Sequence, residues 1–201
     1  MTDRSVISMT GRSSMLCQMP PTSAAPATTT RDALLDAGVA VADAHGLAGL
    51  SVNRVVAAAG VAKGTFYVHF RDRTAFVDAL HERFHGQVEQ AVAAATAGTP
   101  PGAERIRRSA EAYLDVCLVN RAVKALALEA RSDPSLISPM AVRHDRFATA
   151  AIPSLRAMGW ADASATAQLL AAMTAEIAIR ELDAGRRLPA SRRALRRFLA
   201  A

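Results

Sequence analysis

The sequence predicts an all-α protein with a small N-terminal helix-turn-helix part of three helices and a larger helical C-terminal part. Its 201 residues are 51% hydrophobic but only 4% aromatic, and the abundance of Ala, Leu and Arg favours helix over strand. From about residue 31 onwards, apolar residues recur at intervals of three and four, as they do on one face of a helix. A chain of this length can bury a core of ordinary size.

The cysteines and the hydropathy pattern predict where the protein resides. Cys17 and Cys117 lie far apart and neither belongs to a Cys-x-x-Cys pair, so neither a disulfide scaffold nor a thiolate metal site is predicted. No apolar run reaches the ~20 residues of a membrane span. The N-terminal run VISM is too short for a signal-peptide core. We therefore expect a cytoplasmic protein with no membrane partner, and we expect no cofactor.

The net charge of +6 is concentrated in one short stretch. Residues 186–197 contain Arg but no acid, and their arginines equal the whole net charge, so the rest of the chain sums to zero. If Leu195, Phe198 and Leu199 face inward on a helix, these arginines form a solvated face, and a phosphate-binding patch is the alternative. The total charge is thus weak evidence for nucleic-acid binding. The arginines are Arg186, Arg187, Arg192, Arg193, Arg196 and Arg197.

The first helix follows a stretch without helical or strand periodicity. Residues 1–27 are rich in Ser, Thr and Pro, and we predict a disordered tail. Thr29 or Thr30 can cap the helix that follows, and Gly46 can end it. Its apolar face consists of Leu34, Ala37, Gly38 and Val41.

The next residues predict a helix-turn-helix. Ser51 can cap a short helix with Val52, Val55 and Val56 facing inward. Gly60 can supply a turn with positive φ, after which Val61 and Phe66 anchor a second short helix. The free face of this second helix carries small and polar groups that can approach base edges or phosphates in a major groove. A helical hairpin with ordinary surface residues is the alternative. The groups are Lys63, Gly64, Thr65, Tyr67 and His69.

The stretch GLAGLSVNRVVAAAGVAKGTFYVHFRDRTAFVDAL resembles the N-terminal domain of the TetR family of bacterial transcription regulators. The resemblance covers residues 31–80 and fades beyond them, as expected for a family whose C-terminal region diverges to bind different small molecules. The matching features are Gly46, Ser51, Ala59-Gly60-Val61, Gly64-Thr65, Tyr67, His69-Phe70 and the charged RDR before the next helix.

The resemblance implies roles for individual residues. Lys63 and Thr65 would lie at base edges, with Gly64 between them on the same face. Tyr67 and His69 would contact backbone phosphates. Arg73 would contact a phosphate beside the fourth helix, and the Ser51 hydroxyl would add a contact. The expected DNA-binding residues are therefore Ser51, Lys63, Gly64, Thr65, Tyr67, His69 and Arg73.

The sequence departs from the family pattern at two positions. Ala62 stands where the family often has a capping Ser, which leaves the second helix without a side-chain cap worth ~1 kcal/mol. Val56 stands where the family usually has a small Ala, and it can shift the angle between the two helices. Neither departure removes a group expected to contact DNA.

The stretch HERFH, residues 81–85, fits the zinc motif H-E-x-x-H. His81 and His85 stand four apart on one helix with Glu82 beside them, but a catalytic zinc needs a third protein ligand. We expect the helix to turn Phe76, Leu80, Phe84 and Val88 inward and to leave both histidines at the flank of that stripe. We interpret the motif as accidental. A zinc-responsive regulator and a metal-dependent hydrolase remain the alternatives.

The remaining sequence predicts further helices. A helix pair runs from about Ala103 to a break at Pro134, and the next helix, kinked at Pro153, ends near Gly159. The last pair spans residues 162–183 and 189–200. The first of these two carries a stripe that fits a partner helix in a dimer or burial in its own domain. The stripe consists of Ala165, Leu169, Ala172, Met173, Glu176 and Ile177.

Together these inferences predict a dimeric regulator and not an enzyme. Residues 28–75 would be the DNA-binding domain and residues 76–201 the effector-binding and dimerisation domain. The protein would bind a pseudo-palindromic operator as a homodimer, most simply as a repressor, and a small-molecule effector would release it. A helical interaction protein without DNA affinity is a further hypothesis. The expected effector-binding residues are Phe84, Tyr113, Cys117, Met140, Phe147 and Trp160.

Overall fold

The computed structural model describes residues 29–123 and 134–200, so the predicted tail and the side chain of Met140 lie outside the described part. Within these residues all regular structure is helical, and no helix has the length and apolar character needed to cross a membrane. The all-α prediction is confirmed. The helices are α1 (Thr30–Gly49), α2 (Val52–Ala59), α3 (Lys63–His69), α4 (Arg73–Thr96), α5 (Ala103–Val119), α6 (Pro134–Ala157), α7 (Ala163–Ala184) and α8 (Pro189–Ala200).

Local side-chain chemistry fixes the ends of the first helices. The Thr29 hydroxyl accepts a hydrogen bond from the backbone N–H of Asp32 (3.2 Å) at the start of α1. Gly46 interrupts α1 with φ 63°, where the sequence predicts an end, but helical structure resumes as far as Gly49. Ser51 caps α2 by accepting from the N–H of Arg54 (3.4 Å). These caps satisfy donors that a helix start leaves without a partner.

The turn between α2 and α3 forms as the sequence predicts. Gly60 ends α2 in the left-handed conformation, with φ 67° and ψ 29°, which a residue with a Cβ adopts only at a cost. Ala62 precedes α3 and provides no side-chain cap. Phe66 turns inward and is buried. Helices α2 and α3 therefore form the predicted helix-turn-helix.

An aromatic cluster holds α3 against α1 and α4. The rings of Phe66, Phe70 and Phe76 lie 4.9–5.4 Å apart, centroid to centroid. Gly38 of α1 allows the Phe76 ring to approach so closely that a Cβ at Gly38 would come within 2.5 Å of it. We call α1, α2, α3 and the first turns of α4 the head. Its core is closed by buried residues from all four helices.

Helix α4 belongs to both halves of the molecule. The Asp72 carboxylate caps its start by accepting from the N–H of Ala75 (2.7 Å). Leu80 packs in the head core, whereas Phe84, one turn later, packs in a second core formed with α5 to α8. We call this second part the body. The domain boundary proposed after residue 75 stays a prediction, because α4 runs through both cores.

The expected position of His81 is wrong. His81 is only 1% exposed and lies within α4 among buried residues, whereas the sequence suggested a place at the flank of the inward stripe. The head core and the body core both pack against this 24-residue helix. Together they cover more of its surface than the apolar stripe alone, so His81 is buried although it lies beside the stripe.

The prolines of the body lie at the start of a helix and within it. Pro134 begins α6, and proline is well suited to the first turn, where its missing N–H would have no partner. The residues before Pro134, on which the predicted end of the preceding helix pair depends, lie outside the described part. Helix α6 continues through Pro153 to Ala157, and Gly159 follows in the left-handed conformation with φ 85°.

The C-terminal arginines do not form one solvated face. Arg192 is buried, and its Nε and Nη2 donate to the two carboxylate oxygens of Glu181 (2.7 and 2.6 Å). Its Nη1 donates to Asp115 of α5 (2.7 Å), and Arg187 pairs with the same carboxylate (2.8 Å). Phe198, expected to face inward, is partly exposed. The prediction of a solvated arginine face is therefore wrong for Arg192, which ties α8 to α5 and α7.

Candidate functional site

The outer face of α3 is a solvent-exposed surface backed by a rigid core. Lys63 and Gly64 are exposed in its first turn, and one turn later Tyr67 and Val68 are 49% and 80% exposed. His69, at the last position of α3, is exposed as well. The fully buried Phe66 on the opposite side fixes the orientation of this short helix. We call Lys63, Gly64, Tyr67 and Val68 the outer face of α3.

Gly64 leaves space above the outer face of α3. A Cβ built at Gly64 would meet no atom within 4 Å, and its backbone is helical. The glycine is therefore not needed for packing within the chain. Its absence of a side chain lets another molecule approach the backbone of α3 closely.

The other residues predicted to contact DNA lie around this face with different surroundings. Thr65 is half-buried, so only part of it faces solvent. The Ser51 hydroxyl already accepts the capping bond of α2. The Nε of Arg73 donates to the carbonyl oxygen of Leu50 (2.6 Å) and joins the start of α4 to the loop before α2. Arg73 thus has a positioning role inside the head.

Val68 is an exposed apolar residue that the sequence reasoning did not include. Its neighbours Tyr67 and His69 were predicted as contacts because they are polar. A valine is usually assigned to the core, so its sequence position alone does not indicate that Val68 is exposed. Its position four residues after Gly64 was the available signal, since residues four apart share a face. An apolar side chain in a major groove can contact the methyl group of thymine.

The HERFH stretch lacks the geometry of a catalytic metal site. His81 is buried, His85 is half-buried and Glu82 is exposed, so the three do not share one open cleft. In residues 29–123 and 134–200, no group of three or more His, Cys, Asp or Glu side chains is placed to hold a metal ion. This part of the chain therefore offers no support for the hydrolase alternative.

A cavity of about 50 Å³ lies in the body between α4, α5, α6 and α7. This volume exceeds the ~10–15 Å³ that a single water molecule requires. Apolar groups make up most of the wall, together with three hydroxyls and one guanidinium. The lining residues are Val92, Arg105, Ile106, Ser109, Ala110, Phe147, Ala150, Ala151, Ser154, Leu170 and Thr174.

The predicted effector-binding residues only partly coincide with this cavity. Phe147 lines it, and Tyr113 packs on Phe147 with a centroid distance of 4.9 Å. Phe84 and Cys117 are buried in the body core, and Trp160 packs near Phe198 (6.0 Å). Sequence reasoning selected large apolar side chains and missed the polar lining, which no local pattern marks.

One side of α7 is exposed although it carries small and apolar residues. Leu169 is 63% exposed, and Ala165, Ala172 and Glu176 on the same side are exposed too. Ile177 is buried and Met173 half-buried, so the predicted stripe continues only partly into the body. Burial within its own domain is thus the wrong alternative for the four exposed residues. We call Ala165, Leu169, Ala172 and Glu176 the exposed stripe of α7.

The head is a helix-turn-helix with an exposed second helix, joined to a helical body. Residues 34–80 match the family model described as bacterial regulatory proteins, tetR family. This match covers most of the head, the same part of the chain in which the sequence resembles the TetR family. No match was found among the curated proteins.

Solved structures share the fold over most of the chain. A TetR-like transcriptional regulator from Rhodococcus sp. RHA1 has a TM-score of 0.71 at 21% identity, covering 86% of this chain and 94% of that one. The multidrug binding protein EbrR, complexed with imidazole, has a TM-score of 0.67 at 23% identity, covering 85% and 95%. The fatty acid degradation regulator FadR from Bacillus halodurans has 0.73 at 18% identity, covering 84% and 96%. At these identities the likeness concerns the fold alone.

Proposed function

We propose that this protein is a ligand-responsive transcriptional repressor that binds a pseudo-palindromic operator as a homodimer. The observation that carries the proposal is the outer face of α3, which is exposed, holds a cationic Lys63 and a side-chain-free Gly64, and is fixed from behind by Phe66. A helix of this kind can enter a major groove and bring its first turn to the base edges. Because the operator is chromosomal DNA, the proposal places the protein in the cytoplasm.

The exposed stripe of α7 supports the homodimer. Leu169 is a large apolar side chain exposed to 63%, and the alanines beside it let a second helix approach closely. A two-fold axis would bring the stripe of one protomer against that of its partner. The two copies of α3 would then reach major grooves about one or more turns apart, ~34–36 Å per turn.

The cavity supports control by a small molecule. It is lined by α4, and α4 also begins in the head, where Arg73 is bonded to Leu50. A ligand that favours one position of α4 changes the spacing of the heads and hence the affinity for DNA. A coupling of ~1–3 kcal/mol corresponds to a 5- to 150-fold change in affinity. Among the solved structures with this fold, EbrR is a multidrug binding protein.

Two matched glycine variants test whether α3 meets DNA. Gly64→Ala and Gly86→Ala each add one methyl group in open space on a helix, the first on α3 and the second on α4. Each change should stabilise its helix by up to ~1 kcal/mol, because alanine has a higher helix propensity than glycine. We expect Gly64→Ala to lower the affinity for DNA from beside the protein's own gene by tenfold or more, and Gly86→Ala to leave it unchanged.

Gel shift and footprinting measure the outcome. A protected site with two symmetric half-sites supports a dimer on a pseudo-palindrome, whereas a single asymmetric half-site contradicts it. Equal affinity of the wild type and Gly64→Ala would exclude a close approach of DNA at α3. Release of the complex by zinc would revive the zinc-responsive alternative.

A further inference from the structure

The cavity in the body has one charged residue in its wall. Of its lining residues only Arg105 carries a charged group, and the others are apolar or carry hydroxyls. A lone cation in an apolar wall is unfavourable unless an anion accompanies it. The charge of the wall therefore favours a negatively charged occupant over a neutral or cationic one.

Arg105 differs from its neighbours on α5. Arg107 forms ion pairs with Glu104 and Glu111, and Arg108 pairs with Glu104. The hydrogen bonds of Arg105 go instead to two backbone carbonyls, from Nη1 to Thr96 (3.1 Å) and Thr99 (2.8 Å). No described acidic side chain neutralises it.

These two bonds leave a particular edge of the guanidinium available. With Nη1 directed to the end of α4, the Nε–H and Nη2–H groups remain, and together they match the two oxygens of a carboxylate. The same chain shows this geometry elsewhere: Arg192 donates from Nε and Nη2 to both oxygens of Glu181. A ligand carboxylate could meet Arg105 in the same way.

The hydroxyls of the cavity provide a second, independent observation. Ser154 is only 2% exposed and lines the cavity. Thr174, equally buried, donates its proton to the carbonyl of Leu170 (2.8 Å) and can only accept a further bond from its surroundings. Two buried hydroxyls in a largely apolar wall can bond to a polar group of a bound molecule, beside the guanidinium of Arg105.

From these observations we infer that the effector is a small amphiphilic carboxylate. Its carboxylate binds Arg105 with help from the Ser154 hydroxyl, and its apolar part lies against Val92, Phe147 and Leu170. The inference rests on the proposed function for the release of DNA, but the binding step stands on the cavity alone. Because Arg105 also holds the carbonyls at the end of α4, a bound carboxylate acts directly on the helix that reaches the head.

Binding of hexanoate and of its neutral isostere hexanamide to the purified full chain, followed by calorimetry and thermal shift, tests the inference. Hexanoate should bind saturably, and hexanamide at least tenfold more weakly, since it loses the charge-assisted pair. Arg105→Gln should reduce hexanoate affinity about tenfold or more, and Ser154→Ala severalfold. Arg108→Gln, on the same helix but outside the cavity wall, is the matched control and should leave binding unchanged.

Three results would overturn the inference. These are equal binding of hexanoate and hexanamide, hexanoate binding that survives both Arg105→Gln and Ser154→Ala, and no binding of hexanoate or octanoate at millimolar concentration. Ser154→Ala removes a single oxygen, so it reports on the site even if Arg105→Gln fails to fold. Operator release is measured separately: hexanoate binding without any DNA binding contradicts the repressor but keeps the carboxylate site, and DNA binding without hexanoate binding does the reverse.

Discussion

At the scale of single residues, the buried ion pair between Glu181 and Arg192 shows what the sequence pattern could not. Glu181 is fully buried, and it accepts two hydrogen bonds from Arg192 and one from the backbone N–H of Leu188 (2.8 Å). Burial raises the pKa of the Glu181 carboxyl, but the bonds from Arg192 and Leu188 outweigh it, so the pKa lies below its ordinary value. The charged pair of Glu181 and Arg192 therefore holds α8 against α7.

Glu181→Gln should destabilise the protein, and the effect should depend on pH. Loss of one partner leaves Arg192 buried with less compensation, which costs up to ~3–5 kcal/mol near neutral pH. Because the folded-state pKa of Glu181 is lowered, its stabilising effect is present above the unfolded pKa of ~4.3 and is lost as the pH falls through the folded pKa. Chemical unfolding of both proteins at several pH values should show a difference that shrinks in acid.

Glu104→Gln is the matched control for this measurement. The hydrogen bonds from Arg107 and Arg108 lower the pKa of Glu104 to about 2. These two ion pairs nevertheless lie at the surface, where water screens them. Glu104→Gln should change stability much less than Glu181→Gln. A difference between wild type and Glu181→Gln that is constant from pH 7 to pH 3 would contradict the assigned role of the charge.

At the scale of helices, the sequence predicted those features that depend on neighbours in the chain. Ser51 and Gly60 set helix ends through groups within a few residues of themselves, and such signals can be found in a single sequence. The burial of Arg192 depends on Asp115, 77 residues away. The polar wall of the cavity likewise depends on how four helices pack, so Arg105 and Ser154 could not be recognised from spacing.

The missing cap of α3 gives a prediction at this scale. Ala62 is exposed and has the extended φ of −70° and ψ of 149° of an N-cap residue, but it has no side chain to accept from α3. Ala62→Ser should stabilise α3 by ~1 kcal/mol. If the chain unfolds cooperatively, this raises the midpoint of thermal unfolding by ~2–4 °C.

Ala62→Val is the control, because valine at the same position cannot cap. Differential scanning calorimetry should show a rise for Ala62→Ser and none for Ala62→Val. A similar midpoint in all three proteins would mean that α3 is held by Phe66 alone. In that case the absent cap has no energetic consequence in this protein.

At the scale of the whole molecule, α4 is joined to the head by side-chain packing, and the other end of α4 is joined to the body by hydrogen bonds. Gly38 lets Phe76 of α4 lie directly against α1, and any added Cβ would collide with that ring, so α4 and the head move together. At the other end of α4, Arg105 of α5 holds the carbonyls of Thr96 and Thr99. Packing contacts thus run from the cavity wall along α4 to the head, and the proposed control by a ligand would act through them.

The exposed stripe of α7 is where the dimer can be tested. Leu169→Glu places a charge on the stripe, and a two-fold axis brings this charge close to its copy in the partner. The dimer then loses the ~1.5–3 kcal/mol of stabilisation that burial of each leucine contributes, and it must instead desolvate two carboxylates. We expect monomers by analytical ultracentrifugation, unchanged helix content by circular dichroism, and a loss of operator affinity of a hundredfold or more. Val119→Glu, at a residue 83% exposed on α5, should keep the dimer. A Leu169→Glu protein that stays dimeric would place the interface on another surface, and the coupling through α4 would then require a different spacing of the two heads.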